Sequence, residues 1–332
     1  MNVLVTGGAG YIGSHTVEAL LEAGHQVTVI DDLSNGHHEA VSPRAHFERA
    51  SLADAGTIQQ ILRRRKVDAV LHFAAFIEVG ESVQEPGKYF QNNFSNTLNL
   101  LQAMRATGAN KIVFSSTAAV YGNPESTKIS ESHSTRPINP YGRSKLMVEM
   151  ALEDFSKAHG FDVTVLRYFN VAGASPRVSI GEAHTPETHL IPLLLESAAS
   201  GACNAKLFGS DYDTADGSCV RDYVHVDDLA RAHILAAQQG NGQRFAVYNV
   251  GSEAGFSVRE VISAVEKVTG KKLNIQVQKR REGDPARLVA DSTKIRRELQ
   301  WQPVHPELET MIQHAWAWHS RPVFAYTGKK SA

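Results

Sequence analysis

Val3-Leu4-Val5-Thr6-Gly7-Gly8-Ala9-Gly10-Tyr11-Ile12-Gly13 decides how this chain is read. A short apolar run stops at a cluster of glycines, and apolar residues then recur at helical spacing over residues 12–22, ending at Gly24. A buried strand turning sharply into a helix opens a βαβ unit. Gly7, Gly10 and Gly13 stand at Gly-x-x-Gly-x-x-Gly spacing, which lets the backbone approach a pyrophosphate while the helix N-terminus offers free N–H donors. Such turns are common in loops, and it is the position between strand and helix that points to a dinucleotide. A second apolar run, Val27-Thr28-Val29-Ile30, leads into Asp31 and Asp32. Asp31 lies near the ~20-residue offset of the acid that bonds an adenosine ribose. A carboxylate there repels the extra phosphate of NADP, so NAD is the expected cofactor.

Working outward, apolar runs at 69–71, 112–114 and 163–166 alternate with helical patterns over about 93–107 and 141–159. The pattern predicts an α/β protein, a Rossmann-type doubly wound parallel sheet. After about Asn170 the alternation weakens and Pro176, Pro186 and Pro192 punctuate a loop-rich stretch. A smaller α+β substrate-binding domain is expected there. Residues 1–170 are read as the NAD-binding domain, with segments of about 220–255 returning to it. Residues 171–320 are read as mainly substrate-binding, and 321–332 as a tail whose last residues, 328–332, are frayed. A strand at 248–250 and helices at 258–269 and 308–319 are also predicted.

The composition narrows the class. The chain has 332 residues, 42% hydrophobic and 21% charged, with a net charge of −1, so no nucleic-acid or membrane surface is indicated. Cys203 and Cys219 are too few for a disulfide framework or thiolate metal site, which suggests a reducing compartment. Apolar sequence begins at Val3, leaving no room for a signal peptide, and no stretch approaches the ~20 apolar residues that span a bilayer. A cytoplasmic location is expected.

Tyr141-Gly142-Arg143-Ser144-Lys145 follows Pro140 and places Tyr141 and Lys145 one helical turn apart on one face. A phenol with a pKa near ~10 is a poor base at neutral pH, but a cation within ~4–6 Å favours its ionised form. Lys145 is expected to supply that charge. The run Ser115-Ser116-Thr117 ends a predicted strand, and the hydroxyl of Thr117 could share a substrate proton with Tyr141 and hold the oxygen as a carbonyl forms.

At this point the chain resembles the extended short-chain dehydrogenase/reductase family, and within it the members that epimerise nucleotide-linked sugars. The resemblance runs from residue 1 to about 320. It rests on Phe73-Ala74-Ala75, Val79-Gly80-Glu81-Ser82, Asn92-Asn93, Phe114-Ser115-Ser116-Thr117, Val120-Tyr121-Gly122 and Pro140-Tyr141-Gly142-Arg143-Ser144-Lys145. Arg167-Tyr168-Phe169-Asn170, Val220-Arg221-Asp222-Tyr223-Val224-His225-Val226, Arg281-Glu282-Gly283-Asp284, Trp316 and Trp318 complete it. The resemblance implies inversion at carbon 4 of a UDP-hexose, by hydride transfer to a retained NAD and a 4-keto sugar, with Tyr141, Lys145 and Thr117 catalytic. It implies NAD contacts from Gly7, Gly10, Tyr11, Ile12, Gly13, Asp31, Asp32, Asn35, Ser51, Leu52, Phe73, Ala74, Ala75, Asn92, Ser115, Tyr141, Lys145 and Tyr168. It carries the UDP-sugar onto Thr117, Tyr141, Asn170, His189, Leu190, Phe208, Arg221, Arg281 and Asp284, with both arginines on the pyrophosphate. It also implies a homodimer through the helices after Asn93 and from Tyr141.

Four positions depart from the family's pattern. Ser51 replaces a frequent aspartate near the adenine, Ile77 a lysine near the cofactor phosphate, Thr117 the commoner serine, and His189 a frequent asparagine. Related dehydratases carry Asp-Glu, or Glu alone, after the strand-end hydroxyl, where this chain has Ala118 and Ala119, which argues against elimination chemistry. A non-catalytic nucleotide sensor on the same fold would have no need of Tyr141, Lys145 and Thr117 together. By resemblance Leu288 gates the space for an N-acetyl group, so N-acetylhexosamines or pentoses linked to UDP remain alternative substrates.

Other features read as ordinary. The Asp211-x-Asp213-x-x-Asp216-Gly217 stretch departs from a calcium loop in its glycine and distal acid and is expected to be a polar loop. Arg63-Arg64-Arg65-Lys66 suits a helix C-terminus. The fifteen histidines show no helical ligand spacing with a partner acid, so no metal is expected.

Overall fold

The computed structural model describes residues 1–124, 126–238, 244–281, 284–322 and 324. The frayed end expected at 328–332 lies outside them, as do Glu282 and Gly283 of the Arg281 motif. Seven parallel strands form the central sheet: β1 (Asn2–Thr6), β2 (Gln26–Asp31), β3 (His46–Arg49), β4 (Ala69–His72), β5 (Lys111–Thr117), β6 (Asp162–Tyr168) and β7 (Phe245–Val250). Their order is β7-β6-β5-β4-β1-β2-β3. The chain runs outward from β1 to β3 and then returns to β4 on the other side of β1, so the strand order reverses at the β1/β4 junction. In doubly wound sheets the crevice at the carboxyl ends of such strands is where ligands bind.

Helices cover both faces, which is why the strands read as continuous apolar runs. On one side α1 (Tyr11–Glu22) and Val226–Gln238 place Val17, Leu20, Leu229 and Ala236 against Val3, Val5 and Leu71. On the other, α2 (Ala55–Arg65), α3 (Asn96–Thr107) and α4 (Pro140–His159) place Ile58, Leu62, Leu101, Met104 and Leu152 against Leu4, Val70 and Phe114. Each fully buried aliphatic side chain of this kind contributes ~1.5–3 kcal/mol relative to exposure. Alternation of Val3, Leu4 and Val5 between the layers follows from the two-residue period of a strand.

The predicted strand does end in Ser115, Ser116 and Thr117, which pair in register with Leu166, Arg167 and Tyr168, whereas two other elements differ from the sequence expectation. The helix predicted from 93 is preceded by a π-helical stretch, Phe90–Ser95. There Asn93 is buried, accepts from Phe76 N (2.8 Å) and donates to Phe76 O (3.0 Å) and Ser144 Oγ (3.1 Å). The wider turn aims an amide inward, as π-bulges often do near functional sites. β3 went unread because its four residues are at most half-buried at the sheet edge and lack an apolar run.

Short strand pairs build the region after the sheet. Asn170–Ala172 runs beside Tyr223–His225, Asn204–Phe208 beside Asn274–Gln278, and Val220–Arg221 between Phe256–Ser257 and Arg287–Leu288. A third core joins α5 (Leu190–Ala199), Val258–Thr269 and Leu308–His319 through Leu195, Val261, Met311 and Ile312. The predicted helices at 258–269 and 308–319 form with those bounds, the first closed by a capping box between Ser257 and Glu260.

Arg63, Arg64 and Arg65 end α2, and the last two pair with Glu48 at 2.6 and 2.8 Å. Asp211 pairs with Arg280 at 2.7 Å, and Asp216 accepts from Ser218 and Ser257, so those acids serve a loop. Cys203 and Cys219 are free. No helix among the described residues is long and apolar enough to cross a membrane.

Candidate active site

β1 ends in the glycine turn. Gly7 adopts φ +72°, which L side chains rarely do, and an added Cβ would stand 2.6 Å from Ala74 N. A methyl on Gly13 would drive into the carbonyl of Gly7. Gly10 caps α1 without any side-chain hydrogen bond, leaving the helix N–H groups available to an anion. Asp31, at the end of β2, accepts from Ala9 N (3.0 Å) and Leu33 N (2.9 Å); burial raises its pKa against these two bonds. A cradle too tight for side chains, free helix donors and an acid beside them fit a dinucleotide such as NAD.

The other candidate cofactor residues divide. Phe73 and Ala74 donate their amides to Thr6 O at 3.0 and 3.1 Å, so they line the β4 end of the same crevice. Tyr11 is nearly buried and spends its hydroxyl on Gly173 O at 2.6 Å. Leu52 packs into the core with Ile58 and Leu62. Ser51 accepts from Ala53 N at 3.3 Å. Asp32 and Asn35 are exposed on the loop after β2, whereas Ile12, Ala75 and Asn92 are half-buried.

The β5 and β6 ends bring the candidate catalytic groups together. The Thr117 hydroxyl accepts from Ala119 N at 3.1 Å and acts to lower the pKa of the Tyr141 phenol, while burial raises the Tyr168 phenol, with a further rise from Tyr141. Lys145 is 3% exposed and donates to Ser115 O at 2.9 Å, with its ammonium 5.0 Å from the Phe114 ring centroid. Burial pulls its pKa down to about 7 against the charge of Glu149. Burial also pushes Tyr141 up to about 12, opposed by Thr117.

Beneath these groups lies a polar layer that sequence reading missed. Ser115 Oγ bonds His233 Nε2 at 2.8 Å, and His233 Nδ1 bonds Leu229 O at 2.9 Å. The carbonyl can only accept, so Nδ1 carries the proton and Nε2 accepts from Ser115. Glu149 accepts from Ser116 and from Arg167, whose Nε lies 3.1 Å from both carboxylate oxygens. The one available signal was helical spacing, since Glu149 stands four residues after Lys145 and eight after Tyr141.

The candidate substrate residues sit on the adjoining short strands. The guanidinium of Arg281 lies over the face of the Phe208 ring, 4.0 Å from its centroid. Arg221 is paired with Asp284 and donates Nη1 to Val220 O (2.8 Å) and Pro285 O (2.9 Å). Asn170, exposed, donates to Asp222 O at 3.1 Å. Leu288 pairs in register with Arg221. His189 caps α5, which begins at Leu190. The structure also joins residues that no helical spacing revealed: Glu182, His184, Glu187 and His189 each bring one ligand-type atom within 4.8 Å of the rest. Burial lowers the pKa of His184 and His189, but bonds to Glu182 and Glu187 win, raising them to about 9 and about 11.

A Rossmann sheet with a dinucleotide cradle and a Tyr–Lys–Thr cluster at its carboxyl edge defines an NAD-dependent nucleotide-sugar enzyme. The NAD-dependent epimerase/dehydratase family model matches residues 3–251, and the chain belongs to that family. A UDP-glucose 4-epimerase of Lacticaseibacillus casei is 48% identical over 320 residues, covering 96% of this chain and 97% of that one. The crystal structure of UDP-glucose 4-epimerase from Brucella ovis in complex with NAD matches with TM-score 0.93 and 41% identity, over 96% of this chain and 98% of that one. The UDP-Glc/GlcNAc 4-epimerase of Campylobacter jejuni matches with TM-score 0.85 and 44% identity, over 96% and 98% of the two chains.

Proposed function

We propose that this enzyme interconverts UDP-galactose and UDP-glucose by inverting carbon 4 of the hexose. The observation that carries the reading is Lys145, buried one helical turn from Tyr141 and bonded to Ser115 O of the strand that ends in Thr117, in the same sheet whose first strand ends in the glycine turn. NAD, when bound, supplies the acceptor that takes and returns a hydride, together with a cationic ring. Tyr141 takes the proton of the 4-hydroxyl and later gives it back, and Thr117 holds that oxygen as it becomes a carbonyl. Lys145 anchors the cofactor ribose and supplies positive charge near a phenol that burial makes hard to ionise. Phe208, Arg221, Arg281, Asp284, Asn170 and Leu190 hold the UDP part, with Asp284 aligning the guanidinium of Arg221. In this reading residues 1–170 bind NAD, and 171–320 mainly bind substrate.

Incubating purified protein with UDP-galactose and following UDP-glucose by NMR tests the proposal. Conversion to an equilibrium mixture without added reductant is expected, and absence of conversion would refute it. UDP-N-acetylglucosamine belongs in the same panel, because the Campylobacter jejuni relative acts on both sugar types by its name and Leu288 is a mid-sized gate. A cytoplasmic homodimer through α3 and α4 completes the reading. It is supported by two free thiols and by Met150 of α4, 60% exposed, and light scattering on the purified protein checks the dimer.

A further inference from the structure

We propose that Glu182, His184, Glu187 and His189 form a closed structural site for one divalent transition-metal ion of the zinc class. All four come from eight consecutive residues in the loop that enters α5. Their ligand atoms alternate nitrogen with oxygen. His184 Nδ1 lies 3.2 Å from Glu182 Oε1 and 3.6 Å from Glu187 Oε2, while His189 Nδ1 lies 3.0 Å from Glu182 Oε1 and 2.9 Å from Glu187 Oε1. Tetrahedral zinc with bonds of ~2.0–2.1 Å requires ligand atoms separated by about 3.3 Å. These nitrogen–oxygen separations, which use both oxygens of Glu187, lie around that edge, and one ligand atom from each residue lies within 4.8 Å of the others.

The charges also close. Two neutral imidazoles and two carboxylates balance a dication, and the Glu182 and Glu187 side chains are only 5% and 2% exposed. The same groups can close as imidazolium–carboxylate pairs, but that arrangement sets two cationic rings 5.3 Å apart. It also leaves His184 Nδ1 buried without a well-aligned hydrogen bond, although it points at both acids. An ion between the four atoms removes both defects. An N₂O₂ set of this kind favours zinc or cobalt over magnesium or calcium, which take oxygen ligands.

The loop is held ready from outside. Trp318 Nε1 donates to Glu182 O at 3.0 Å, and His37 Nε2 bonds Ala183 O at 2.7 Å. Four protein ligands leave no open position, so the ion would be structural and take no part in the epimerisation. It would clamp the loop between the glycine-turn helix, where Tyr11 faces His184 at 6.5 Å, and the start of α5.

Chelator-stripped, tag-free protein titrated with cobalt(II) tests the site. One equivalent is expected to develop the intense visible band of tetrahedral cobalt, which zinc abolishes, and zinc should raise Tm by about 5 °C or more. His184→Ala and Glu187→Gln, each checked for native circular dichroism, should lose the band. His314→Ala should keep it, which matters because His225, His305 and His314 form a second histidine group with ring centroids 4.7–5.2 Å apart. No band and no stoichiometric zinc in the wild-type protein would overturn the proposal. So would a band that survives both loop variants, or one that disappears in His314→Ala.

Discussion

Tyr141 shows how little a residue's type says about its state. On a helix surface its phenol would keep its ordinary acidity, but burial pushes it up to about 12, and Thr117 is the group that opposes the shift. Tyr141→Phe removes the proton carrier, and kcat for UDP-galactose is expected to fall ~10²–10⁴-fold with NAD content unchanged. Thr117→Ala should lower kcat by about tenfold or more, while Thr117→Ser, which keeps the hydroxyl, should retain most of it. Equal rates for the alanine and serine variants would remove Thr117 from the mechanism. Lys145 was legible as the residue one turn from Tyr141, yet its contact with Ser115 O was not, because the i,i+4 rule places side chains on one face without saying what they reach.

At the scale of elements, the glycine turn works by steric exclusion. Gly13 packs against the carbonyl of Gly7, so even a methyl group must push the turn open. Gly13→Ala is expected to purify with little or no NAD and with a lower Tm, measured by absorbance after acid release of the cofactor and by thermal melting. Normal cofactor content in that variant would show that the turn is not the pyrophosphate cradle. The π-helical stretch Phe90–Ser95 is a second case. Its pattern in sequence is indistinguishable from the start of α3, since only the bonds of Asn93 to Phe76 and Ser144 demand the wider turn.

For the molecule as a whole, buried histidines link stability to pH. Burial lowers His233 to about 4 and His72 to about 3, both well below the ordinary value of 6.5. A histidine whose folded pKa is lowered leaves the unfolded chain binding more protons between the two values. Its neutral form is therefore fully compatible with the fold above about pH 6.5, and stability is lost as pH falls from there toward 4 and 3. Each such group should cost about 2 kcal/mol between pH 7 and pH 5. Urea unfolding of His233→Gln should show a pH slope shallower by about 0.7 proton on average over that range, whatever its stability at pH 7. A slope equal to that of the wild-type protein would mean that His233 takes up its proton at the same pH in the folded and the unfolded chain.

Local pattern was enough for whatever depends on neighbours in the chain. The strand–glycine–helix unit, the Asp31 offset, the Tyr141/Lys145 turn and the helix Val258–Thr269 are set by spacing, propensity and caps that act within a few residues. The fold's α/β class and parallel sheet follow from repeating such units. Packing across the molecule decided the rest. Ser115 meets His233 across 118 residues, Arg167 meets Glu149 at the floor of the site, and Arg221 meets Asp284 across 63 residues. The four ligand-type residues of 182–189 converge although no regular repeat aligns them. Burial and partner charge, which move Tyr141, Lys145 and His233 far from their ordinary acidities, exist only once distant segments have excluded water from one another.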